Sequence, residues 1–104
     1  MSIKKKKYGL KEMEDKYGKL TVANFLRSWR MSAELSQREF AGMLNMSPAN
    51  LCDIECGRKG ISIEKALEIS KAVDYPPEAL IKIVLQDQLH SAGIELEIMF
   101  KKAA

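Results

Sequence analysis

This 104-residue chain has little that can do covalent chemistry. It carries one histidine, His90, and two cysteines, Cys52 and Cys56. Two cysteines at i, i+4 do not make a disulfide framework. A zinc site would need two further ligands, and His90 lies far along the chain. No nucleophile sits beside a base, no acids pair in a plausible cleft, and no glycine-rich phosphate loop is present. No metal, no cofactor and no enzymatic activity are expected. Long apolar runs are missing too, and none approaches the ~18 residues of a membrane span. The N-terminal lysines are not followed by the apolar core of a signal peptide. A cytoplasmic protein is expected.

What is present suits one domain. Hydrophobic residues make up 46% and charged residues 30%, an ordinary globular balance. The formal charge of +3 is unevenly spread. Residues 1–20 hold seven lysines against three acids, whereas residues 62–104 hold five bases against seven acids. A basic head can attract nucleic acid or an anionic surface, or can simply be a solubilising tail.

Helical signals dominate. Residues 1–9 read as an arm, and 10–17 as a short amphipathic helix that Gly18 ends. Thr21 can cap a helix whose Val22, Phe25, Leu26 and Trp29 fall at i, i+3, i+4, i+7. Ser36 and Glu39 form a capping box for the next helix, with Leu35 and Phe40 as its hydrophobic staple. Asn45 tolerates positive φ and can end that helix. Ser47 caps a third helix with Pro48 at its first position, and Gly57 stops it. Ser62 caps a fourth, with Ile63, Ala66, Leu67 and Val73 expected inward. A fifth follows Tyr75-Pro76-Pro77, with Leu80, Ile81, Val84, Leu85 and Leu89 inward and an end near Gly93. His90 falls in its last turn, on the surface.

The period then changes. In residues 94–100, Ile94, Leu96, Ile98 and Phe100 alternate with Glu95, Glu97 and Met99, the pattern of a half-buried strand. A lone strand leaves its backbone unpaired. A second copy of the chain, paired antiparallel about a two-fold axis, is the simplest partner. A strand of another protein, or the arm around Ile3, would also serve.

The break between the second and third helices needs a reason, since one longer helix would be easier to form. A sharp turn sets two short helices at a large angle. The second can then project its N-terminus, whose free N–H groups suit phosphates, toward a groove about 12 Å wide. Small Ala41 lets the two helices approach closely.

On these residues the chain resembles the phage-repressor-like (XRE) helix-turn-helix regulators. The matching positions in 22–90 are Gln37, Phe40-Ala41, Leu44, Asn45 at the usual turn glycine, Met46, Ser47, Leu51, Ile54, Glu55 and Gly57-Arg58, with Arg30 seven residues before Gln37. The resemblance implies an all-α, five-helix DNA-binding domain over 21–92. It would be flanked by a basic arm with a short helix over 1–20 and a dimerisation strand over 93–104. It implies a structural ion pair between Arg30 and Glu55. By position it assigns base contacts to Gln37, Pro48, Ala49, Asn50 and Asp53, and phosphate contacts to Ser36, Gln37, Ser47, Arg58 and Lys59. The residues themselves depart from a strong reader. Pro48 lacks an N–H, Ala49 offers only apolar contact, and Asp53 repels phosphates while able to accept from cytosine N4. Either specificity then leans on DNA shape and the basic arm, or DNA binding is weak.

A terminal strand on a small helix-turn-helix protein is similar to the antitoxins of toxin–antitoxin operons, the HipB-like and HigA-like ones above all. That likeness implies a homodimer on a palindromic double-stranded operator, repressing its own operon and holding a toxin protein. A stand-alone phage-type repressor, or a helix-turn-helix used for protein contacts only, are the competing readings.

Overall fold

In the computed structural model of the protein, residues 20–101 and 103 are described. They form five helices: α1 (Val22–Ser32), α2 (Gln37–Met43), α3 (Pro48–Glu55), α4 (Ile63–Ala72) and α5 (Pro77–Ser91). The expected arm, the 10–17 helix and Ile3 lie outside the described residues.

Every start signal read from the sequence works locally. The hydroxyls of Thr21, Ser36, Ser47 and Ser62 accept from the backbone N–H three residues on. The capping box is complete, with the Ser36 N–H donating to Glu39 at 2.8 Å. At the head of α5 no side chain caps, and Pro77 at the first turn removes one donor that would need a partner.

The helix ends share one design. After each of the five helices a residue enters the left-handed region: Glu34 (φ 59), Asn45 (58), Gly57 (80), Asp74 (54) and Gly93 (76). The next residue donates its N–H to the carbonyl five positions back: Leu35 to Arg30, Met46 to Ala41, Arg58 to Asp53, Tyr75 to Ser70 and Ile94 to Leu89, at 2.9–3.1 Å. These are Schellman closures, which satisfy carbonyls that the ending helix would otherwise orphan. Leu35, Met46 and Tyr75 also tuck against the core. Asn45, Gly57 and Gly93 are residue types that announce such a turn. Glu34 and Asp74 are not. At these two positions the apolar residue that follows must reach the core, and this contact outweighs the strain on the acid.

The core gathers Leu26, Phe40, Leu51, Ile69, Leu80 and Val84, all fully buried. Trp29 stacks on Phe40 at 5.2 Å, and Phe25 meets Tyr75 at 4.7 Å. The inward face of α4 differs from the expected one. Its buried stripe is Ala66, Ile69, Ser70 and Val73, spaced i, i+3, i+4, i+7. Ile63 and Leu67 lie beside that stripe and are exposed. Buried Ser70 satisfies its hydroxyl by donating to the Leu67 carbonyl at 2.8 Å. In α5 the deep residues are Leu80, Ile83 and Val84, while Ile81, Leu85 and Leu89 are half-buried. Asp87 of α5 accepts from the Val22 N–H at 3.0 Å and so supplements the cap of α1. Burial pushes its carboxyl pKa up, partly offset by that bond and by His90.

Among the described residues no segment is assigned as a strand. The expected strand at 94–100 runs without a ladder partner, as any single strand must when no second one lies beside it. Its middle is held by Gln86, whose amide donates to the Leu96 carbonyl (2.6 Å) and accepts from the Ile98 N–H (3.1 Å). Ile94, Leu96, Met99 and Phe100 are exposed.

Because Glu34 is exposed and strained, Glu34→Gly should stabilise the protein by about 0.5–1 kcal/mol. The urea midpoint should rise at constant m-value. A midpoint that stays put or falls would mean that the left-handed acid costs nothing here.

Candidate nucleic-acid interface

The leading end of α3 faces solvent. Ser47, Pro48 and Ala49 are exposed and Asn50 is half-buried, whereas Leu51, Ile54 and Glu55 turn inward. The turn that frees this end is closed by Asn45 and by the Met46 N–H on the Ala41 carbonyl. Lys65 of α4 braces it from outside, donating to the carbonyls of Leu44 (3.0 Å) and Asn45 (3.4 Å) and to Glu68. A cation at the end of α2 also complements that helix's dipole.

The other end of α3 is anchored in the interior. Glu55 is 2% exposed. Its carboxylate accepts from Arg30 Nε (2.9 Å), Arg30 Nη2 (3.1 Å) and Gln37 Nε2 (3.0 Å). Arg30 Nη1 reaches the Leu35 carbonyl at 3.0 Å, and Arg27 Nη2 reaches the Glu55 carbonyl at 3.1 Å. One buried acid thus ties α1, the first residue of α2 and the last of α3, with three donors to offset its desolvation.

The expected site residues divide into five groups. Arg30 and Glu55 pair as expected. Ser36 and Ser47 spend their hydroxyls as caps, and their positions at helix starts are exposed. Gln37, expected at the DNA, is half-buried and gives an amide hydrogen to Glu55. Pro48 and Ala49 stand on the exposed end without a polar group to offer. The remaining four form two pairs. Lys59 Nζ donates to Asn50 Oδ1 at 2.6 Å. Arg58 donates through Nε (3.1 Å) and Nη2 (2.9 Å) to Asp53 Oδ1. The second pair follows from the closure at Gly57, which folds Arg58 back over Asp53. Hydrogen bonding to Asp53 leads the causes that raise the Arg58 pKa. Asp53 is therefore neutralised locally, and the repulsion of phosphates expected from its charge is reduced.

The two thiols also lie on α3 and its cap. Cys52 and Cys56 have Sγ atoms 4.0 Å apart, and Cys56 is exposed. Among the described residues no three or more His, Cys, Asp or Glu side chains converge as a metal set, and no helix is long and apolar enough to cross a membrane.

A model of the helix-turn-helix family matches residues 26–80, just over half the chain and the whole of α2, α3 and α4. No curated protein and no solved structure matches.

Removing Arg30 alone strands a buried carboxylate. Arg30→Met should cost about 3 kcal/mol or more, and Arg30→Met combined with Glu55→Met should recover most of it. Chemical denaturation of the cycle checks this. A single variant as stable as wild type would show that Glu55 does not depend on the arginine.

Proposed function

The chain belongs to the helix-turn-helix family, and from that premise we propose a sequence-specific, DNA-binding transcriptional repressor that acts as a homodimer. The observation that carries this reading is the solvent-facing start of α3, held at a fixed angle by the Glu55 network behind it. A projecting helix of eight residues fits the major groove. Ala49 supplies an apolar contact for a thymine methyl, and Asn50 a hydrogen-bonding group. Exposed Lys59 and the exposed helix-start positions 36 and 47 are the candidates for contact with backbone phosphates.

The 94–100 segment supports the dimer. Four apolar residues there stand open to solvent in a single chain. Antiparallel pairing with a second copy would cover them and supply the missing ladder. Gln86 already occupies Leu96 O and Ile98 N. The partner strand would then meet the opposite edge, through the backbone of residues such as Glu97. Two α3 helices related by a two-fold axis would read a palindromic operator with half-sites spaced by a helical turn.

Within this reading, an autoregulating antitoxin that also holds a toxin is the narrower proposal. Its support is the combination of a small helix-turn-helix domain with an apolar terminal segment suited to pairing. Co-expression with the product of the adjacent reading frame tests it. A stable complex and a growth defect from that product alone are expected, and a neighbour that neither binds nor inhibits growth would leave a plain repressor.

Binding to the DNA upstream of its own coding region should weaken steeply as salt rises. Asn50→Ala should reduce sequence preference, whereas Lys59→Ala should weaken binding to all duplexes about equally. Absent or salt-insensitive binding would favour a protein-contact role instead. Removing residues 94–104 should convert dimers to monomers in analytical ultracentrifugation. A truncated chain that stays dimeric would move the interface elsewhere, with α5 the next candidate.

A further inference from the structure

Resting on the DNA-binding reading, we propose that Arg58 reads a base, that Asp53 is the positioning residue which aims it, and that the base is guanine. By position alone Arg58 belongs to the phosphate contacts. Its geometry says otherwise.

Asp53 Oδ1 takes both the Nε and one Nη2 hydrogen of Arg58. The inner edge of the guanidinium is thus committed. Its distal edge, formed by Nη1 and the second Nη2 hydrogen, keeps two parallel donors. That fork matches the N7 and O6 acceptors of guanine in the major groove. The pair is accessible, with 62% of the Arg58 side chain and 46% of the Asp53 side chain exposed. It also sits on the correct face. Asp53 follows Ala49 by four residues and Asn50 by three, so it shares the outward side of α3, opposite buried Leu51 and Ile54.

Charge separates a base from a phosphate as the ligand. A phosphate clamp works best with an unopposed cation. Here a carboxylate lies against the guanidinium and brings the formal charge of the pair to zero. The neutral pair draws a phosphate much less than a free cation would, but its free N–H donors still meet neutral acceptors such as N7 and O6. The main chain locks the same arrangement, because the Arg58 N–H donates to the Asp53 carbonyl at 2.9 Å. An exposed ion pair contributes little to stability. What it does supply is orientation: a long, flexible side chain held in one pose before the duplex arrives, at lower entropic cost on binding.

The test uses the full-length chain and a randomised double-stranded DNA library, followed by competition between a selected duplex and versions with each guanine changed to adenine. Selected half-sites should share a guanine whose replacement weakens wild-type binding about tenfold or more. Arg58→Lys keeps the charge and loses the fork, so it should bind the guanine and adenine duplexes within a few-fold of each other. Asp53→Asn should bind unrelated duplexes more tightly and discriminate guanine less. Arg58 is exposed and Asp53 only half-buried, and thermal melting should show both variants folded. A guanine preference that survives Arg58→Ala overturns the proposal. So does Arg58→Ala weakening every duplex equally while the salt slope falls by about one, the mark of a phosphate contact. Wild-type binding without any shared guanine sinks this inference alone, whereas no binding to any duplex sinks the DNA-binding reading with it.

Discussion

The structure depends on how one buried acid is paid for. Glu55 ends the helix that would enter the groove, and it has almost no contact with water. An isolated carboxylate there would be very costly. Arg30 and Gln37 make it tolerable by converging on it from two other helices. The same bonds fix the angle of α3 against α1 and α2. Orientation and stability therefore rest on the same few atoms, and any change that frees α3 also exposes an unpaired charge.

Around that anchor, the chain uses very short helices that would be marginal alone. They persist because both ends are finished. Serine or threonine hydroxyls satisfy the first turn of four helices, and a left-handed residue closes the last turn of all five. The closure after α2 turns the chain toward α3, and the closure after α3 brings Arg58 back over Asp53. Turn chemistry thus shapes the exposed face as well as the fold. Because Gln37 gives an amide hydrogen to the interior, the polar groups left on that face are few and already paired: Asn50 with Lys59, and Asp53 with Arg58. Pre-pairing of this kind favours a small number of well-oriented contacts over many adaptable ones.

The terminal segment follows a different logic. Helices satisfy their own backbone, but a strand cannot. Gln86 supplies a side-chain amide where a neighbouring strand's peptide group would sit, and holds 96–98 by one edge. The apolar residues beyond it remain uncovered. A second protomer would resolve both deficits together, which is why the segment and the two-fold reading of DNA belong to one proposal.

Local sequence determined most of the helices, because their boundaries are set by chemistry a few residues apart. Ser36 with Glu39, Ser47 with Pro48, Asn45 and Gly57 each act within one turn, and each could be read directly. The Arg30–Glu55 pair was legible only through family resemblance, since nothing local links residues 25 apart. Tertiary structure decided what depends on three-dimensional neighbours. It put Glu34 and Asp74 in left-handed turns because Leu35 and Tyr75 had to reach the core. It rotated α4 so that Ile69 went in and Leu67 stayed out. It turned Gln37 toward Glu55, and it joined Asp53 to Arg58 and Asn50 to Lys59. Periodicity gives a helix an apolar side, but only packing chooses which residues of that side touch the core and which polar groups find one another.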